Sequence, residues 1–173
     1  MHQLLLLRHA KAEKARHDES DHDRALSERG RHAARGMRER MRAMGIEPDV
    51  VLVSSARRTR ETLDLVTAWQ ELPNVEVLDA LYMAGAQRMI DLLREQRETA
   101  RSLLLVGHNP GLHELALLLA GDADPANPAA RRLAEGFPTA RLAEYLVLTP
   151  WPALAPRSVR LQRVVDPDEH HHD

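Results

Sequence analysis

Two histidines and two arginines stand out because they follow short aliphatic runs. Leu4-Leu5-Leu6-Leu7 leads into Arg8-His9-Ala10-Lys11, Val50 to Val53 into Ser54 to Thr62 with Arg58 among them, and Leu103 to Val106 into Gly107-His108-Asn109-Pro110-Gly111. A guanidinium offers a planar fork of donors that matches phosphate oxygens and stays charged at any relevant pH, so Arg8 and Arg58 would clamp such a group. An imidazole combines a nitrogen nucleophile with a pKa near neutrality, so it can accept a phosphoryl group and release it to water. One histidine would attack while the other binds. Taken alone, Arg8-His9 reads as a surface turn, and only convergence with Arg58 and His108 turns it into chemistry.

Convergence requires parallel strands, because ligands of an open α/β sheet bind beyond the carboxyl ends of its strands, beside helix N-termini that favour an anion. The runs Leu4 to Leu7, Val50 to Val53, Leu103 to Val106 and Tyr145 to Leu148 read as strands buried on both faces. Val75 to Leu78 and Val159 to Val165 are weaker and suit the edges. Helical patterns lie between: Ser27 as a cap for a helix to about Met44 with Ala33, Ala34, Met37, Met41 and Met44 inward, a second from Ser54 or Ser55 carrying Thr62, Leu63, Val66 and Trp69, a third over roughly Ala86 to Glu98, and a fourth opened by Asn109 as cap and Pro110 in its first turn. The alternation predicts an α/β fold, a three-layer α/β/α sandwich with a mainly parallel central sheet.

The bulk properties agree. The chain has 173 residues, 43% hydrophobic but only 3% aromatic, which fits helices packed on an aliphatic sheet in one domain over 1–165, followed by a polar tail, 166–173. Lys and Arg (24) nearly balance Asp and Glu (26), so no global field draws the chain to nucleic acid or membrane. The chain has no cysteine, and four leucines before Arg8 fall short of a signal peptide, so a cytoplasmic location is expected.

The openings Leu-Leu-Leu-Arg8-His9-Ala10-Lys11, Asp23-Arg24-Ala-Leu-Ser27-Glu-Arg-Gly30, Ser54 to Thr62, Val106-Gly-His-Asn-Pro-Gly111 and Phe137-Pro-Thr139, in that order, resemble the histidine phosphatase superfamily, most of all its short phosphohistidine phosphatase branch of SixA type. The resemblance implies a phosphoglycerate-mutase-like fold and a phosphatase without metal or cofactor. His9 is then the nucleophile, and Arg8, Arg58 and His108 complete the phosphate-binding core, with Arg58 preferred to Arg57 because it lies four residues from both Ser54 and Thr62. Lys11, Ser54, Gly107 and Asn109 are candidate substrate contacts. Ala10 stands where the family usually has glycine and Ser55 where proline is frequent, and neither removes a functional group.

Larger relatives supply a glutamate as general acid before the third helix, whereas here Leu78-Asp79-Ala80-Leu81-Tyr82 offers only Asp79. A labile P–N bond needs less acid assistance than a sugar phosphate ester. The short intervals between motifs also leave no obvious lid. Both features point to phosphohistidine in a partner protein as substrate, with a small phosphometabolite, or a phosphate-binding module without turnover, as alternatives. The run His17 to Asp23 has the composition of a metal site but reads as a hydrated loop, with Asp23 and Arg24 as an internal ion pair, and His113 reads as a surface residue.

Overall fold

The computed structural model describes residues 1–167. In chain order the elements are β1 (His2–Arg8), α1 (Glu28–Ala43), β2 (Val50–Ser54), α2 (Arg57–Val66), β3 (Asn74–Leu78), α3 (Ala86–Arg94), β4 (Ser102–Gly107), α4 (Gly111–Ala120), α5 (Pro128–Glu135), β5 (Leu142–Val147) and β6 (Val159–Val165). They form one six-stranded sheet in the order β3-β2-β4-β1-β5-β6. The first four strands of the chain run parallel, β5 is antiparallel to β1, and β6 is antiparallel to β5. No helix is long and apolar enough to cross a membrane among the described residues.

The strand runs are continuously apolar because both sheet faces are covered. Leu5, Leu7, Val51, Val53, Leu104 and Val106 face the layer of α1 and α2, meeting Met37, Met41, Leu63 and Val66. Leu4, Leu6, Leu52, Leu103 and Leu105 face the opposite layer, meeting Met89, Leu93, Leu115, Leu119 and Leu133 of α3, α4 and α5. Truncating one of these central leucines to alanine removes roughly 2 to 5 kcal/mol. This is the three-layer α/β/α sandwich read from the sequence.

Ser27 caps α1 by accepting from the Gly30 N–H at 3.0 Å, a contact that typically stabilises by about 1 kcal/mol. Three boundaries differ from the sequence reading. The second helix starts at Arg57, because the Ser54 hydroxyl accepts from the Ala56 N–H and holds 54–56 in a turn. The third ends at Arg94, and the exposed Glu98 beyond it contacts His2 and accepts from the Trp151 N–H. The fourth starts at Gly111 rather than on Asn109, whose amide donates to the Phe137 carbonyl and makes no cap. Asn-Pro capping does occur at Asn127-Pro128, where the Asn127 side chain accepts from the Ala129 N–H and opens α5, a helix the sequence reading missed.

The chain end departs from expectation at its first residue. Asp166, assigned by sequence to the polar tail, bridges Arg132 and Arg141. Residues 168–173, with the terminal histidines, lie outside the described residues.

Candidate active site

The register of the sheet delivers both histidines to one place. Arg8 of β1 stands beside Gly107 of β4, so His9 and His108 are the next residue on adjacent parallel strands. Their rings lie 5.3 Å apart between centroids. One strand further, β2 ends at Ser54, and the first turn of α2 swings the buried Arg58 back over the same edge. From the other side of β1, Phe137 to Ala140 closes the floor. The Arg8 side chain donates to the Phe137 carbonyl at 3.1 Å, and the Ala140 N–H donates to the carbonyls of Arg8 and His9.

The result is a cleft of about 330 Å3 lined by Arg8, His9, Lys11, Ala12, Asp21, Arg24, Arg58, Met83, His108, Asn109 and Thr139. A roomier groove of about 710 Å3, lined by Leu117, Leu118 and Arg160, contains none of the motif residues, so chemistry selects the smaller cleft.

Hydrogen bonding fixes the tautomer of His9. Its Nδ1 lies 2.7 Å from the Ala10 carbonyl, an acceptor only, so Nδ1 carries the proton and Nε2 the free lone pair. The Arg58 Nε–H approaches that Nε2 at 3.4 Å, as a donor should. Burial, followed by the charges of Arg58, Arg8 and Arg24, outweighs the Ala10 carbonyl and pushes the imidazole down to about 4. His9 is therefore a neutral base at physiological pH.

His108 is neutral for the same reasons, pushed down to about 3 by burial and then by His9 and Arg58. Its Nε2 lies 2.7 Å from the Ser54 hydroxyl, while Nδ1 is buried without a partner. When the hydroxyl donates to Nε2, the proton sits on Nδ1 and His108 offers one donor to a bound anion. Arg8 Nε is likewise buried without a partner. With the Asn109 Oδ1, three buried polar atoms of the cleft lack partners, and the two that can donate, on Arg8 and His108, suit a bound anion.

Arg58 is oriented by a carboxylate that the sequence reading left in a solvated loop. Its two terminal nitrogens donate to the carbonyl of Asp21, at 2.9 Å, and to its side chain, at 3.1 Å. The other Asp21 oxygen accepts from Arg24, and the Tyr82 hydroxyl donates to Asp21 as well. Tyr82, then Arg24 and Arg58, hold the Asp21 carboxyl well below the usual carboxylate range. The Tyr82 hydroxyl is correspondingly raised. Arg24 thus pairs with Asp21 and not with Asp23, because the short 3-10 helix Asp21–Asp23 brings i and i+3 together.

The other expected residues divide. Lys11 and Asn109 line the cleft, Ser54 acts through His108, and the Gly107 carbonyl accepts from the His9 N–H at 3.2 Å. Asp79 is not among the cleft-lining residues: exposed, it opens a 3-10 turn after β3, and that turn carries Tyr82 and Met83 to the site instead. His113 is half-buried, bound to the Leu133 carbonyl. No three histidines or carboxylates are grouped to hold a metal among the described residues, and His22 of the acidic loop contacts Ser55.

Comparison with known proteins decides the family. Residues 4–83 match the histidine phosphatase superfamily (branch 1). A Mycobacterium tuberculosis protein of uncharacterized role is 33% identical over 137 residues, 79% of this chain and 85% of its own. A structure from Nakamurella multipartitia, named provisionally as the phosphohistidine phosphatase SixA, is 31% identical over 96% of both chains, with a TM-score of 0.83.

The chain belongs to the histidine phosphatase superfamily.

A second SixA structure, from Agrobacterium tumefaciens and also provisionally named, is 30% identical over 96% of this chain and 98% of that one, with a TM-score of 0.82. As a histidine phosphatase the protein is a hydrolase of phosphoryl groups, with the fold of its SixA neighbours.

Proposed function

We propose that the protein removes phosphate from phosphohistidine in a partner protein, in the cytoplasm, without a metal, by way of a phosphoryl group carried on His9. The observation that carries this reading is the fixed tautomer of His9: a neutral, lone-pair-bearing Nε2 held beside Arg58.

In the first step Nε2 attacks phosphorus and the bond to the leaving imidazole breaks, its electron pair going to the departing nitrogen, which leaves as neutral imidazole when protonated beforehand. Arg8 and Arg58 take the equatorial oxygens, and His108 donates a hydrogen bond to one of them. In the second step water attacks the phosphoryl group, the P–N bond to His9 breaks, and Nε2 recovers its lone pair while phosphate departs. Arginine charge does the work a divalent cation performs elsewhere.

The substrate class follows from proton supply. Asp21 is the carboxylate of the cleft, but its depressed pKa leaves no proton to give at neutral pH. An alkoxide needs a proton as it leaves, whereas a protonated imidazole already holds one. The SixA neighbours named above support the same assignment.

A labelled phosphodonor should leave acid-labile label on wild type and none on His9→Ala. A panel of phosphohistidine protein, aryl phosphate and sugar phosphate should give the highest kcat/KM for the first, unchanged by excess chelator. Faster turnover of sugar phosphate would assign the small-metabolite reading, and absence of both label and turnover would assign a binding module.

A further inference from the structure

The geometry points to Met83 as the residue that selects the leaving group, by packing its thioether against a planar aromatic ring as that ring departs; this rests on the function proposed above. Leu81 to Ala84 form a turn closed by the Ala84 N–H donating to the Leu81 carbonyl at 3.2 Å. Tyr82 takes φ −64° and ψ 114°, and Met83 takes φ 51°. That is the type II form, whose third position belongs to glycine because a side chain there is strained.

The turn cannot relax around Met83. Leu81 and Ala84 are buried, the Tyr82 hydroxyl is fixed on Asp21, and the Ala84 carbonyl lies 1.8 Å from where a Cβ on Gly111 would stand, so turn and helix touch backbone to backbone. Met83 itself is 49% exposed, so core packing does not call for its bulk. Its sulfur sits 3.9 Å from a terminal nitrogen of Arg58, the residue whose Nε meets the His9 nucleophile.

Among the side chains lining the cleft Met83 is the one large apolar group. In-line attack by the buried Nε2 expels the leaving group away from His9, toward the open side of the cleft, which the exposed Met83 helps to line. A polarisable thioether there favours the face or edge of an imidazole and gives nothing to a hydroxylated or very small leaving group.

Two donors with the same P–N bond separate ring contact from chemistry: phosphoimidazole, which expels a ring, and phosphoramidate, which expels ammonia. Met83→Gly should lower the ratio of kcat/KM for phosphoimidazole to that for phosphoramidate by about two- to tenfold, the loss falling more heavily on phosphoimidazole. Met83→Leu, which keeps an apolar side chain, should restore most of the ratio. An unchanged ratio in Met83→Gly, or equal loss on both donors, overturns the inference. Wild type that hydrolyses neither donor removes the proposed function itself, and the inference with it.

Discussion

His9 and His108 sit among arginines with no proton of their own to spare, and this links the site to the stability of the fold. Both imidazoles titrate below the ordinary histidine value, His9 at about 4 and His108 at about 3. Between that ordinary value, about 6.5, and about 4 the unfolded chain therefore binds more protons than the folded one, so stability falls as pH is lowered through this window. Asp21, held below the usual carboxylate range, adds a loss in the same direction only further down. The urea midpoint should drop steadily between pH 6.5 and 4.5, and inorganic phosphate should flatten the slope, because a bound anion raises both imidazoles. A midpoint constant across the window contradicts the assignment. For catalysis, Asp21→Asn should lower kcat/KM about tenfold, the scale of one charge-assisted hydrogen bond, by loosening Arg58, whereas Asp79→Asn should stay within twofold. The four core residues could be read in the sequence because each lies close behind an apolar strand run. Asp21, Tyr82 and Met83 could not, since a polar loop has no period, although the i, i+3 spacing of Asp21 and Arg24 was a usable sign of their pairing.

At the scale of elements, two glycines decide how closely helices approach the site loops. A Cβ on Gly111 would stand 1.8 Å from the Ala84 carbonyl, and one on Gly30 would stand 2.0 Å from the Lys11 carbonyl, next to the His9 loop. Both contacts are with backbone, which cannot swing aside as a side chain does. Gly111→Ala should therefore destabilise by about 1 to 3 kcal/mol, the range for overpacking, and should lower activity by displacing Tyr82 and Met83; thermal melting and kcat/KM on the same sample check both. The long, periodic helix α1 and the buried strands were legible because hydrophobic period and a serine cap agree there. The short α5 was not, since eight residues carry little periodic signal, and the one strong cue, Asn127-Pro128, has a twin at Asn109-Pro110 that caps nothing. Only the partner of each asparagine distinguishes them: a local N–H of its own helix for Asn127, the distant Phe137 carbonyl for Asn109.

Over the whole molecule, the β1–β5 ladder joins the antiparallel strands to the parallel ones, and Asp166, just past β6, pins that strand's end to Arg141 before β5 and to Arg132 of α5. Burial alone would raise its carboxyl, but hydrogen bonds and charge from Arg141 and Arg132 hold it below its usual value. Arg141 also accepts, through its carbonyl, the N–H of Arg8. Asp166→Ala should cost about 2 kcal/mol in urea unfolding, with the label on His9 retained, since no atom of Asp166 reaches the cleft. This latch was hidden in the sequence by its neighbours, because an aspartate followed by one proline and then acids reads as a solvated end.

The sheet order has a consequence for the chain as it is being made. Within this sheet β1 is synthesised before the other strands and is one of the two innermost, yet its partners β4 and β5 follow roughly a hundred residues or more behind it. Until then Leu4 to Leu7 form an unpaired aliphatic ribbon, the kind of segment that holdase chaperones and aggregating neighbours compete for. A ribosome-bound fragment ending before β4 therefore carries His9 without the His108 it must meet, and expression at lower temperature or with added chaperone should raise the yield of active protein more than it changes the stability of the finished fold.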